Sequence, residues 1–224
     1  MTQDGEIVNC KGILGNEYPL DLDYAYGIRN GFGMDLDPET RYLWDTENGP
    51  AFGDEINLVE PGFNSGWAKV QGIWPVAQSE MGRLSPGGYN GTERILSAPP
   101  ELVKFDGRGN YSAPKFVWNV TVAPTAIKFL DSDKLGKEYQ NDMFVGNANT
   151  GTIYHFSLTE DRTALDLSGP LVDKTANNWE ELKDIEFGTG FGEITDIDVG
   201  PDGYLYILSR DKGSIYQIYP NGIK

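Results

Sequence analysis

The loop of residues 47–55 has the residue types of a site for a hard cation. It carries three carboxylates, Glu47, Asp54 and Glu55, together with Asn48, one proline and two glycines. Glycine allows main-chain carbonyls to turn toward a ligand, and Ca²⁺ collects about six to eight carbonyl and carboxylate oxygens. The spacing is not that of an EF-hand loop, so a second interpretation stays open, in which Asp54 and Glu55 only cap turns or face water.

The elements that must position this loop are predicted to be β-strands. Amphipathic helical patterns are scarce, whereas short apolar alternations bounded by turn residues recur along the chain. One weak helical candidate covers residues 178–183. The predicted strands are residues 42–46, 56–60, 126–130, 143–146, 152–158, 194–199, 204–209 and 214–219.

Three regions repeat one order of strand, turn, strand, turn and strand. They cover residues 33–60, 125–158 and 194–218. Repeated antiparallel meanders predict an all-β fold made of β-propeller blades, with a β-sandwich as the alternative. Propellers close with roughly four to eight blades, so we expect the chain to be the later part of a larger propeller or to assemble with a copy. We treat residues 1–224 as one partial propeller domain, in which residues 71–110, rich in Gly, Pro and Ser, form a long insertion.

Charge and composition exclude several classes of partner. The chain has 18 Lys and Arg against 34 Asp and Glu, a formal charge of −16. Such a surface repels nucleic acid and favours cations or neutral ligands. We expect no membrane span, because no apolar run approaches about 18 residues, and no secretory signal in residues 1–15. The single cysteine, Cys10, excludes an internal disulfide.

Four motifs follow one another along the first third of the chain. They are residues 27–33 (Gly-x-Arg-Asn-x-x-Gly), 47–50 (Glu-x-Gly-Pro), 54–58 (Asp-Glu-Ile-Asn-Leu) and 62–67 (Gly-x-Asn-Ser-Gly-Trp). Their order resembles that of the soluble quinoprotein sugar dehydrogenases, the glucose/sorbosone or aldose sugar dehydrogenase family, with one substitution, Ser65 in place of tyrosine. That family implies a six-bladed propeller of four-stranded antiparallel sheets that uses pyrroloquinoline quinone (PQQ) and Ca²⁺.

The resemblance implies roles for three residues at the quinone. Arg29 matches the arginine beside the quinone and the substrate, where it would stabilise negative charge on the reduced cofactor, and it is the one catalytic candidate. Asn30 matches a cofactor contact, and Thr121 belongs to a Thr-Val-Ala-Pro stretch similar to the family's own. We therefore expect Arg29, Asn30 and Thr121 to bind the cofactor.

The resemblance also implies two metal sites. Gly49 and Pro50 match the pair whose main-chain carbonyls hold the Ca²⁺ that bridges the quinone. Glu55 and the main chain of Ser65 match ligands of a separate, structural Ca²⁺. In the family chemistry the metal polarises the quinone as a Lewis acid, a histidine takes the proton of the sugar hydroxyl, and hydride passes to the cofactor.

The chain departs from the family at the residues that do this chemistry. The only histidine, His155, lies in a strand-like run of a different blade, and we interpret it as an ordinary strand residue. Cations that would meet the carboxylates of PQQ are replaced by Asn149, Glu193 and Thr195. Without a base and without these cations, this chain alone is predicted to be inactive.

Two functions follow from this reading. In the first, the chain belongs to an enzyme that oxidises a sugar or another alcohol with PQQ and Ca²⁺, together with the missing N-terminal blades or a second copy. The resemblance implies that this enzyme is extracellular or periplasmic. In the second, it is a non-catalytic Ca²⁺-binding extracellular module for binding or scaffolding. The residues that discriminate between them are Asn149, Glu193 and Thr195, because they decide whether the cofactor pocket is cationic.

Overall fold

The structure is a computed structural model that describes residues 10, 12–67, 70–73, 102 and 104–220. The chain divides into two compact units, described separately below: Met1–Arg29 with Val59–Pro114, and Asn30–Leu58 with Lys115–Lys224. Most of the predicted insertion at residues 71–110 lies outside the described residues. None of the helices within the described ranges is long and apolar enough to cross a membrane.

The described residues form β-strands joined by turns and short 3₁₀ helices. Every strand predicted above is confirmed, with ends shifted by at most two residues. The helical candidate becomes a 3₁₀ helix, Glu181–Ile185. The strands are β1 (Gly31–Leu36), β2 (Leu43–Glu47), β3 (Asp54–Val59), β4 (Phe63–Asn64), β5 (Asn110–Tyr111), β6 (Phe116–Trp118), β7 (Pro124–Phe129), β8 (Met143–Asn147), β9 (Ile153–Phe156), β10 (Thr175–Ala176), β11 (Glu186–Gly188), β12 (Ile194–Val199), β13 (Leu205–Ser209) and β14 (Ser214–Gln217).

The second unit contains three sheets, one for each predicted repeat. Their strand orders are β1-β2-β3-β6-β10, β11-β9-β8-β7 and β12-β13-β14. The middle sheet has the four antiparallel strands that the resemblance implies. The first sheet gains a fifth strand because β10 pairs parallel to β6, and the third sheet has three strands among the described residues.

The three sheets share one irregularity of register. The first two strands of each sheet pair antiparallel over five positions, with a shift near the start of the first strand. The shifts fall between Gly31 and Gly33, between Pro124 and Ala126, and between Ile194 and Asp196. A bulge bends and twists a strand locally, so the same bend at the same place supports the interpretation of the sheets as copies of one unit.

Apolar layers hold the sheets together. Side chains alternate across β8, so Met143 and Val145 join a cluster with Trp44 and Trp118, whereas Phe144 joins a second cluster with residues of β12 and β13. The middle sheet is therefore buried on both faces. Its first strand, β7, contacts both β1 and β12.

The first strands approach closely enough to exclude side chains. A Cβ atom on Gly33 of β1 would lie 2.9 Å from the main-chain nitrogen of Ile127 in β7. Lys128 of β7 reaches both neighbours, with Nζ 3.5 Å from Asp35 of β1 and 3.1 Å from Asp198 of β12. Burial alone would lower the pKa of Lys128, but the two carboxylates outweigh burial and raise it.

In the first unit, β4 and β5 pair in parallel, and Tyr26 bridges to Asn64. The side chain of Asn64 accepts a hydrogen bond from the main-chain N–H of Gly66 at 2.9 Å. The main-chain N–H of Trp67 donates to the carbonyl of Gly27 at 2.9 Å. These bonds order the turn that follows β4.

Candidate functional site

Loops gather at one end of the three sheets of the second unit, and we call this end the loop rim. It comprises residues 30, 47–54, 119–123, 148–151, 189–193 and 210–213, which precede the first strand or follow the second strand of a sheet. Asn48 donates its main-chain N–H to the carbonyl of Asn30 at 3.0 Å. The predicted residues Asn30, Gly49, Pro50 and Thr121 therefore all belong to the loop rim.

Gly49 begins a tight bend that only glycine fits. A Cβ atom at this position would overlap the carbonyl oxygen of Phe52. The main-chain N–H of Gly49 donates to Oδ1 of Asp54 at 2.8 Å. Pro50 follows, exposed to solvent.

Asp54 anchors this bend to the next sheet. The residue is fully buried, and its Oδ2 accepts the main-chain N–H groups of Val122 and Ala123, both at 2.8 Å. The carboxylate therefore ties residue 49 to a segment about 70 positions further along the chain. This agrees with the capping alternative for Asp54, but the residue does not face water. Sequence reasoning missed its role because the partners are remote main-chain groups.

The carbonyl oxygens of Gly49 and Pro50 stay available. Neither accepts a hydrogen bond from any residue that the structure describes. Main-chain carbonyls in a fixed bend are hard oxygen donors of the kind that Ca²⁺ prefers. The bend therefore fits the predicted ion in its donor atoms.

Thr121 and Asn149 connect neighbouring loops of the rim. The Thr121 hydroxyl donates to the carbonyl of Ala51 at 2.8 Å, and Nδ2 of Asn149 donates to the carbonyl of Thr121 at 3.0 Å. Thr121 thus holds the 47–54 loop, and its predicted contact with a cofactor stays a prediction. Asn149, at a position where the resemblance implies a cation, is exposed and uncharged, and its side chain links two loops.

Arg29 and Ser65 lie in the first unit. The guanidinium carbon of Arg29 stands 5.2 Å from the ring centroid of Trp67, a cation–π distance. Ser65 is buried, and its main-chain N–H donates to the carbonyl of Tyr26 at 3.1 Å. The roles of Arg29 at a quinone and of Ser65 at a metal remain predictions.

Glu55 belongs to a buried polar face of β2 and β3 in the second unit. Asp45, Glu47, Glu55 and Asn57 are 7%, 1%, 1% and 0% exposed. Nδ2 of Asn57 donates to Oε2 of Glu55 at 3.4 Å. Glu55 therefore does not face water, which removes that alternative. Among the residues described, no group of three His, Cys, Asp or Glu side chains is arranged to hold a metal, so any ion here must also use amide or main-chain oxygens.

Asp45 on this face has a strongly raised pKa. Burial raises the pKa of its carboxyl to about 7; a hydrogen bond from Asn57 opposes the rise, and the charge of Glu47 adds to it. Its Oδ1 has no hydrogen-bond partner among the residues that the structure describes. Asp45 was not predicted as a site residue, because alternation in a strand of unknown pairing does not reveal which carboxylates become buried.

A cationic side chain lies beside Glu193, one of the positions at which the resemblance implies a cation. Nη2 of Arg210 lies 2.5 Å from Oε2 of Glu193, and the main-chain N–H of Arg210 donates to the Glu193 carbonyl at 2.8 Å. The negative charge expected at Glu193 is therefore paired. Arg210 lies far from Glu193 in sequence and was not predicted. Thr195 is exposed and supplies no charge.

The side chain of His155 contacts Asp142 and Tyr139. Its Nε2 lies 2.8 Å from Oδ2 of Asp142, an oxygen that also accepts the Ser157 hydroxyl at 2.8 Å. The Tyr139 ring meets the imidazole edge to face at 5.1 Å. This agrees with the interpretation of His155 as an ordinary strand residue.

Three like sheets, with their first strands packed together and their loops gathered at one end, are blades of a β-propeller. The pattern of the Glucose / Sorbosone dehydrogenase family matches residues 1–217, and the chain belongs to that family. The predicted resemblance and fold class are thereby confirmed.

Individual relatives agree with this assignment. The chain is 27% identical over 221 residues to the aldose sugar dehydrogenase YliI of Escherichia coli K12, covering 98% of this chain and 50% of the relative. A crystal structure of the soluble aldose sugar dehydrogenase of Escherichia coli in the apo-form matches with a TM-score of 0.63 and 29% identity, covering 97% of this chain and 52% of that one.

A more distant solved structure supports the fold alone. It is the PQQ-bound form of an aldose sugar dehydrogenase from Streptomyces coelicolor, with a TM-score of 0.53 and 20% identity over 93% of this chain and 44% of that one. The chain thus spans about half the length of the relatives it matches.

Proposed function

We propose that this chain provides the calcium-binding and quinone-binding rim of an aldose sugar dehydrogenase-type quinoprotein. The observation that carries the proposal is the pair of carbonyls at Gly49 and Pro50, which accept no hydrogen bond from the part of the chain that the structure describes. They lie on a bend that Asp54 holds through three main-chain hydrogen bonds. Because Asp54 holds the loop through main-chain N–H groups, it leaves the carbonyl oxygens of the loop able to coordinate a cation.

Several residues would serve this site. The carbonyls of Gly49 and Pro50 would hold Ca²⁺, and Glu55 with the main chain of Ser65 would hold a second, structural Ca²⁺. Asn30 and Thr121 would line the quinone, and Arg29 would stand beside it. When bound, the metal and quinone would supply Lewis-acid and hydride-accepting chemistry.

The substrate we propose is a sugar or another alcohol, and the location is the periplasm or the exterior of the cell. His155 lies on β9, outside the residues that make up the loop rim, and we do not propose it as the catalytic base. The base would have to come from outside this chain, from further blades or from a second copy. This chain alone is therefore expected to bind cofactors without turning over substrate.

A second function is favoured by the charges of the loop rim. Asn149 and Thr195 are neutral, and the one cation placed beside Glu193, Arg210, is already paired with it. A rim without net positive charge suits a calcium-binding module without catalysis better than a pocket for a tricarboxylate. This alternative keeps the propeller and Ca²⁺ and omits PQQ.

Calorimetric titration of the metal-stripped chain with Ca²⁺, followed by PQQ, separates the two functions. Binding of both supports the quinoprotein; binding of Ca²⁺ alone supports the module; binding of neither refutes the sites. Gly49→Ala should weaken binding of the rim Ca²⁺ by about tenfold or more, because the added Cβ displaces the bend. Pro50→Ala keeps the carbonyl and serves as the matched control, with a smaller effect.

A charge-restoring variant tests the quinone pocket directly. Glu193→Arg replaces a carboxylate by a cation at a position where the family has one, so PQQ affinity should rise by about tenfold. Glu193→Gln is the control, since it removes only the negative charge and should give a smaller gain. Unchanged affinity in both variants would show that this part of the rim does not meet the quinone.

A further inference from the structure

Asp45, Glu55 and Asn57 share one buried face of the first sheet. Strands β2 and β3 are neighbours, and side chains alternate along each of them. Trp44 and Ile56 point into the apolar cluster, so the residues beside them in sequence point the other way. At 7%, 1% and 0% exposure, the three polar side chains are nearly removed from water.

The Asn57 amide lies between the two carboxyl groups. Its Nδ2 donates to Oε2 of Glu55 at 3.4 Å, a long bond. The Asn57 side chain also opposes the rise in the pKa of Asp45, which places it beside that carboxyl group as well. Oδ1 of Asn57 and Oδ1 of Asp45, by contrast, are buried and have no hydrogen-bond partner within the described ranges. Buried acceptors are normally paired, and buried carboxylates are normally paired or bound to metal.

An ion between the carboxyl groups would use these oxygens. We infer that Asp45 and Asn57 are additional ligands of the calcium ion proposed at Glu55, with the Asn57 amide turned over so that Oδ1 replaces the NH₂ group. Turning an amide exchanges a donor for an acceptor with almost no change in shape. The inference rests on the proposed calcium at Glu55.

The donor set matches a hard cation. Two carboxylates and an amide oxygen are ligands typical of Ca²⁺, and main-chain oxygens and water commonly complete its shell. Glu47 lies two residues beyond Asp45 on the same face of β2 and adds negative charge. The ion would thus be held chiefly by side chains, unlike the one proposed at the carbonyls of Gly49 and Pro50.

Two substitutions with opposite expected signs test the inference in calorimetric titrations of the metal-stripped chain with CaCl₂. Asp45→Asn removes one charged ligand and should weaken the Glu55-dependent binding event by about tenfold or more. Asn57→Asp adds a charged ligand and should strengthen that event by a similar factor, while it lowers the thermal midpoint of the metal-free protein. If Asn57 served only as a hydrogen-bond donor, Asn57→Asp would lower the midpoint equally with and without Ca²⁺, and no affinity would be gained.

Two further variants separate this inference from the function it rests on. Glu55→Gln should abolish one binding event and leave that of the Gly49 bend; if it changes nothing, the proposed calcium at Glu55 is refuted. If Glu55→Gln abolishes an event that Asp45→Asn and Asn57→Asp leave unchanged, only the additional ligands are refuted. Asp161→Asn, on an exposed turn, is the control for loss of an acidic group and should leave both events unaltered.

Discussion

The carboxylate of Asp54 offers the sharpest test of how the loop rim is built. It is fully buried and accepts three main-chain N–H groups at 2.8 Å, from Gly49, Val122 and Ala123. Substitution by alanine leaves all three donors without their acceptor, and that of Val122 is buried. We expect Asp54→Ala to destabilise the fold and to release the bend that carries the carbonyls of Gly49 and Pro50.

The expected size follows from these bonds. A hydrogen bond to a charged group contributes about 1.5–3 kcal/mol, and breaking a buried charged network costs about 3–5 kcal/mol in total, since such terms do not add. Asp54→Ala should therefore lower the free energy of unfolding by about 3–5 kcal/mol. For a chain of this size that corresponds to a fall of roughly 6–20 °C in Tm.

Asparagine at position 54 tests the two carboxylate oxygens separately. Asp54→Asn can keep its carbonyl toward Val122 and Ala123, where one oxygen accepts two bonds, and its NH₂ then faces the N–H of Gly49. The loss should be about 1–3 kcal/mol, confined to the bend. Ca²⁺ affinity at the bend should fall in proportion, whereas the Glu55-dependent event should persist.

Chemical denaturation and Ca²⁺ titration of both variants provide the measurement. Asp161→Asn is the matched control, because Asp161 also accepts three hydrogen bonds, from Thr159 and Thr163, but is exposed. It should change stability by less than about 1 kcal/mol. A loss at Asp54 no larger than that at Asp161, or unchanged Ca²⁺ binding in Asp54→Asn, would refute the reasoning.

Three further predictions concern the contacts between sheets. Burial alone would raise the pKa of Asp37, but hydrogen bonds from Arg162 and Thr40 outweigh burial and lower it. The stability that Asp37 contributes is therefore fully present above the pKa of the unfolded chain, about 3.9. This stability is lost as the pH falls through the lower pKa of the folded protein. Arg162→Met should therefore cost about 3–5 kcal/mol at pH 7 and progressively less below about pH 4, measured by urea denaturation across pH; a loss independent of pH would contradict the ion pair. Lys128→Met leaves Asp35 and Asp198 without their shared cation. It should lower the free energy of unfolding by about 1 kcal/mol at low salt and by less at high salt. Equal losses at both salt concentrations would contradict the ion pairs. Gly33→Ala should lower the free energy of unfolding by about 1–3 kcal/mol, because its Cβ would press on the main chain of β7, and wild-type stability in this variant would show that the strands are further apart.

Local patterns were sufficient to predict the strands. Alternation and turn residues identified the eight main strands, and the repeated order identified the blades, because both signals lie within short windows of sequence. The short strands β6, β10 and β11 were not predicted, since two or three residues show no periodicity. Their pairing depends on segments that lie far away in the chain, as between β6 and β10.

The candidate site divides in the same way. Residue types at fixed spacing were sufficient to predict the family, the Gly49–Pro50 bend and the acidic residues around it. The coordinates were needed to show that Asp54 binds the main chain of residues 122 and 123, that Arg210 pairs with Glu193, and that Asp45 and Asn57 are buried beside Glu55. Each of these depends on pairing between segments distant in sequence, and the desolvation and charge that govern the chemistry arise only after that pairing has formed.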